Sequence, residues 1–132
     1  MKKILLGILS LVLISCTAPQ GFIARPAGWT AIQMRENIAR NKAWSTLVSV
    51  ISDNYEIETL DKESGYLRTT WLFETKNGVQ SATRITAKIE DNNSTRIKVD
   101  SKYFNALEGK WIEGHNTILT QQIKDDLSGR LR

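Results

Sequence analysis

Hydrophobic positions in the middle of the chain follow two rhythms. Trp44, Leu47, Val48 and Ile51 recur at i, i+3, i+4 and i+7, the stripe of a helix with one face toward a core, and Asp53-Asn54 ends it. Upstream, Thr30 and Gln33 have the spacing of a capping box, so a helical turn is expected to open there. Ile38 falls off the stripe, which makes residues 31–41 a separate or bent piece. From Tyr55 the period becomes two. Residues 55–60 alternate, 61–65 form a loop, and 66–74 are the next strand, with Leu67, Thr69, Trp71 and Phe73 on one face. Asn77-Gly78 then predicts a tight hairpin, because both residues tolerate positive φ. Residues 79–89 follow, with Thr83, Ile85, Ala87 and Ile89 inward and Arg84, Thr86 and Lys88 outward. After a turn at 90–94, residues 95–103 make a strand with Ile97 and Val99 inward. Residues 109–114 are either a short edge segment or a loop. Asn116 or Thr117 caps a last helix that carries Leu119, Ile123, Leu127 and Leu131 on one side.

A helix, four hairpin-linked strands and a second helix leave few ways to bury two apolar stripes. The inward sheet face is the only large apolar surface available to them. The expected fold class is therefore α+β. It is a two-layer helix-grip domain: an antiparallel meander of four to five strands, with N-terminal and C-terminal helices packed on one face.

The start of the chain has a different pattern. Met1-Lys2-Lys3 is a short positive head, and residues 4–14 are an uncharged, mostly apolar run. That run is too short to cross a bilayer core of about 30 Å as a helix, but it has the charge and length of a secretory signal. It ends in Leu13-Ile14-Ser15-Cys16, which resembles the bacterial lipoprotein box, and Cys16 is the sequence's only cysteine. The resemblance implies a signal peptide at 1–15, acylation of Cys16 and its new amine, and membrane anchoring through those chains. Thr17 stands where an aspartate would favour inner-membrane retention, so the resemblance implies the outer membrane, with the domain on the periplasmic side. Residues 16–30, holding both prolines, read as a lipidated tether, and 31–132 as a single domain.

Charge and cysteine usage narrow the partners. The formal charge is +4, and Lys2 and Lys3 supply two of those charges, so a processed chain carries +2 and is a poor candidate for nucleic acid. With Cys16 acylated, no cysteine remains for a disulfide, and stability must come from packing.

Few residues carry recognisable chemistry. His115 is the single histidine, beside Gly114, and makes no metal spacing with cysteine or carboxylates. Asp125-Asp126 and Glu56/Glu58 read as solvated charges. No G-x-S-x-G, Walker, H-E-x-x-H or CxxC pattern occurs, so no cofactor and no enzyme activity is expected. Among four tryptophans, Trp44 and Trp71 are expected in the core and Trp111 at a rim. Trp29 is a partner anchor, an interfacial membrane residue or a side chain folded back on its own domain. Alternation also places Arg68, Arg84, Lys88, Arg96, Lys98 and Lys102 on the outer sheet face. They form either a basic plate for phosphorylated lipid head groups or an acidic partner, or a solvated face balanced by Glu56, Glu58, Glu90 and Asp100.

Residues 43–71, AWSTLVSVISDNYEIETLDKESGYLRTTW, resemble the helix-grip lipoproteins typified by BamC (NlpB), an accessory lipoprotein of the outer-membrane barrel-assembly machine. The shared features are the tryptophan opening the helix, Asp61 starting the turn, and Gly65-Tyr66 entering the second strand. The resemblance implies a non-enzymatic interaction module in envelope or outer-membrane protein assembly. The alternative is a helix-grip carrier for a small apolar or lipid ligand, which needs a cavity of a few hundred Å³ between helix and sheet. Large inward residues, Trp44, Trp71 and Phe73, favour a filled interior.

Overall fold

The computed structural model describes residues 18–90 and 94–131. Cys16, the apolar run before it and the centre of the expected turn at 90–94 lie outside the described residues. In chain order the elements are β1 (Phe22–Ile23), β2 (Thr30–Ile32), α1 (Arg40–Ser52), β3 (Ile57–Asp61), β4 (Tyr66–Thr69), β5 (Leu72–Lys76), β6 (Val79–Ile89), β7 (Thr95–Asn105), β8 (Lys110–Asn116) and α2 (Thr117–Leu131). The fold is α+β: an open antiparallel sheet of eight strands with two helices. It is not the meander of four to five strands expected, because two short N-terminal strands join the sheet and the expected strand 66–74 is divided in two.

Two long strands form the spine. β6 and β7 pair continuously from Ser81↔Tyr103 to Ile89↔Thr95. β4 and β5 lie end to end along the free edge of β6, and β8 and β2 lie along the other edge of β7. β3 closes one side and β1 the other. The β5–β6 turn forms as Asn-Gly chemistry requires: Asn77 has φ 53°, Gly78 has φ 76°, and Lys76 pairs with Val79.

The inner face holds the core. Trp44, Leu47, Val50 and Ile51 from α1 meet Leu67, Ile85, Ala87, Ile89, Ile97 and Val99 from the sheet, joined by Leu127 and Leu131 from α2. Asn116 caps α2, its Oδ1 accepting from the Leu119 N–H at 3.1 Å. Among the described residues, this core is drawn from positions 32 to 131.

Three expectations are corrected. Thr30 opens no helix: Thr30–Ile32 is a strand on the β7 edge, and α1 begins only at Arg40, without a side-chain cap. Part of the expected tether is likewise paired into the sheet, since Phe22 and Ile23 register with Asn116 and His115. The third correction has the largest consequence. Residues 66–74 are not one unbroken strand, because a bulge separates β4 from β5. Arg68 pairs with Thr86 but Leu72 pairs with Thr83, so one extra residue is accommodated on the β4–β5 side. Thr69 stitches the gap, its Oγ1 accepting from the Ile85 N–H at 3.0 Å and donating to the Thr70 carbonyl at 2.9 Å. The bulge reverses facing. Leu67 and Thr69 are fully buried inside, whereas Phe73 is 60 % exposed and registers with Ala82 on the outer face. Trp71 goes outward with it, and Trp44 alone among the tryptophans enters the core.

Gly65 shows how tightly the β3–β4 turn is held. Its φ is +70°, its carbonyl accepts from the Ile89 N–H at 2.8 Å, and a Cβ there would collide with the Ile89 carbonyl oxygen. Gly78 has similar backbone geometry but open space around it. Gly65→Ala is therefore expected to cost about 2–3 kcal/mol, and Gly78→Ala only the backbone strain of about 1 kcal/mol. Urea unfolding of the two variants side by side checks that order.

Candidate interaction face

Six basic side chains were expected on the outer sheet face, and the strand registers place all six there. Lys88 sits directly opposite Arg96, Thr86 opposite Lys98, and Ala82 opposite Lys102. Across the β4 edge, Arg68 registers with Thr86 and Tyr66 with Lys88. Like charges directly opposed, as in Lys88–Arg96, destabilise a sheet rather than support it.

Counter-charges are sparse. Among the described residues, one ion pair touches these six: Arg96 with Glu90 at 2.8 Å. Asp100 registers with Arg84, yet no ion pair within 4.0 Å joins them. The Nε atoms of Arg68, Arg84 and Arg96 are covered but have no hydrogen-bond partner. Cross-strand balancing by Glu56, Glu58 and Asp100 is therefore not what holds this face together.

Aromatic rings do that instead. The Arg84 guanidinium lies 4.5 Å from the Trp71 ring centre, and Lys102 Nζ lies 4.3 Å from the same ring. Lys102 also approaches Trp111 at 5.2 Å and Phe73 at 5.6 Å. At the other end, Trp29 receives Arg96 at 4.7 Å and Lys98 at 5.2 Å. Each such contact contributes about 0.5–1 kcal/mol at an exposed site, and it orients the cation without neutralising it. Phe73 and Phe104 flank Trp111 at 5.9 and 5.6 Å between ring centres. The result is a face in which three indoles alternate with cations along both edges of the β6–β7 spine.

Sequence reading therefore located the cations and Trp29 but missed Trp71, Phe73 and Phe104 as members of the same surface. One signal was present: Trp71-Leu72-Phe73 are three consecutive apolar residues, which strict alternation cannot bury on one side. Trp29 folds back on the face, stacked against Arg96 and Lys98, while still 41 % exposed. His115 lies on β8 rather than in a loop, its Nδ1–H donating to the Arg25 carbonyl at 2.9 Å.

The inner face carries a second feature. A cleft of about 810 Å³ opens between the β5–β6 hairpin end of the sheet and the first turn of α2, lined in part by Phe22, Val79, Thr83, Ser101 and Leu119. Its origin is the bulge. Trp71 and Phe73, expected to fill the interior, point the other way, and Ser81, Thr83 and Ser101 are too small to replace them. Ser101 Oγ is buried there without a hydrogen-bond partner.

No protein-family model matches the chain, and no curated protein matches it either.

Proposed function

We propose that the protein is a lipid-anchored envelope lipoprotein with a helix-grip domain, acting as a non-enzymatic interaction module through its outer sheet face. The anchor is Cys16, and the lipoprotein-like box before it supports an outer-membrane, periplasm-facing location. The observation that carries the binding role is the outer face itself, where Arg84, Arg96, Lys98 and Lys102 lie over indoles and, among the described residues, Arg96 alone of the six cations pairs with a carboxylate. A surface serving only solubility gains nothing from opposing Lys88 to Arg96. The resemblance of residues 43–71 to BamC-type lipoproteins supports envelope or outer-membrane protein assembly as the setting for such a module.

A photo-crosslinking residue at position 84 or 98 tests the binding role in cells. Crosslinks to an envelope component are expected from both positions and not from position 121, on the exposed side of α2. Equal labelling from all three would remove the assignment to this face. Metabolic labelling with a palmitate analogue tests the anchor. Cys16→Ser is expected to lose all label and to leave the membrane or remain as precursor, and label kept by the serine variant contradicts acylation at Cys16.

The cleft favours a second reading, a carrier for a small apolar or lipid ligand. Its volume of about 810 Å³ reaches the size such a ligand needs. Thr83→Trp, which would fill the cleft, is expected to abolish uptake of a fluorescent fatty acid under this reading and to change nothing under the first.

A further inference from the structure

We infer that the occupant of the outer face is the anionic phospholipid surface of the membrane, met flat by the β6–β7 spine. This rests on reading that face as a binding surface. Three observations select a bilayer over an acidic protein. The cations are spread from Arg96 at one end of β7 to Lys102 near the other, a span of roughly 20 Å at about 3.3 Å per residue. A lattice of mobile phosphates can meet such an array at every point, whereas a folded acidic partner would need carboxylates at matching positions.

Aromatic groups are interleaved with the charges over the whole surface. Tryptophan belongs at the level of lipid headgroups, and Lys and Arg stems lie along apolar surface while their charges reach phosphate. Here the indoles already hold those stems, so the face has the arrangement that a headgroup layer demands before any lipid is met.

Large apolar side chains also stand exposed around the plate. Phe73 is 60 % exposed beside Trp111, and Leu107, in the β7–β8 turn, is 76 % exposed. In water these groups gain nothing, and at a bilayer interface they enter the boundary between headgroups and acyl chains. Asp100, Glu113 and Glu90 are set among the cations and lower the net positive charge, Glu90 by pairing with Arg96 and the other two without pairing to Arg84 or Lys102. Such a face would decide how a domain tethered nearby lies on its membrane.

Sedimentation of residues 18–132 with vesicles tests this, the lipidated cysteine being absent from that segment. Vesicles of equal parts phosphatidylglycerol and phosphatidylcholine are expected to bind the domain, and pure phosphatidylcholine vesicles are not. Brominated acyl chains should quench its tryptophan fluorescence. Arg84→Glu with Lys98→Glu, checked by circular dichroism to be folded, should weaken binding at least about tenfold, since each basic residue near an anionic surface contributes to the attraction. Phe73→Ser with Leu107→Ser should keep salt-sensitive binding but lose most of the quenching. Equal binding to neutral vesicles overturns the proposal, as does binding to polyglutamate with none to either vesicle. In the second case, crosslinks retained in cells from positions 84 and 98 would leave the binding face standing and the lipid partner refuted.

Discussion

Leu67→Ala is expected to lower the unfolding free energy by about 2–5 kcal/mol, and Trp71→Ala by only about 1 kcal/mol, although the tryptophan is much the larger side chain. Leu67 is fully buried on β4, registered with Ala87 and packed in the cluster that joins both helices to the sheet. Truncating it removes apolar contact on every side and leaves a cavity in a core that no disulfide supports. Trp71 lies past the bulge. Its ring is covered mainly by Arg84 and Lys102, whose charged ends return to water when it is removed. Urea unfolding of the two variants measures the contrast. Comparable losses, with Trp71→Ala in the range of about 3–5 kcal/mol usual for a buried aromatic, would mean that the strand runs unbroken and that the outer face lacks its central indole. Thr69→Val gives the same result by another route: it keeps the volume but removes the oxygen that accepts from Ile85, so it should destabilise the bulge itself.

The strongest periodic segments were legible in the sequence. The bounds of β6, its inward and outward sets, the Asn77-Gly78 turn and the α1 stripe all follow from alternation, helical spacing and turn chemistry. The six outward cations follow from the same alternation. The bulge was legible only in the apolar run Trp71-Leu72-Phe73, because Leu67, Thr69, Trp71 and Phe73 continue the period of two through the point where the facing reverses. What breaks the ladder is one threonine hydroxyl bonding across strands, and a threonine in a strand has no distinguishing pattern. β1 and β2 were missed for a different reason. Strands of two and three residues are too short to show a period, and they exist because β7 and β8 offer unpaired edges. The consequences reach the site directly, since the same reversal that turns Trp71 outward also empties the end of the interior where the cleft lies.

Reversing Arg84, Lys88 and Lys98 to glutamate together is expected to abolish association with envelope components while changing stability by no more than about 1 kcal/mol. Half-buried charges without an ion pair contribute little to folding individually. Relief of the Lys88–Arg96 opposition offsets the new like-charge opposition that Arg84→Glu sets against Asp100 and part of what the lost indole contacts contributed. Association depends on the same charges acting together across the face. It should therefore weaken steadily in the wild-type chain as salt rises, the Debye length falling from about 10 Å at 0.1 M to about 3 Å at 1 M.

The most direct measurement is capture of envelope components by immobilised residues 18–132, wild type against this triple reversal, over a salt series and with unfolding curves recorded on the same preparations. The account predicts salt-sensitive capture by the wild type and none by the reversed chain, at matching stability. Equal, salt-insensitive capture by both would contradict it and leave the outer face a solvated surface.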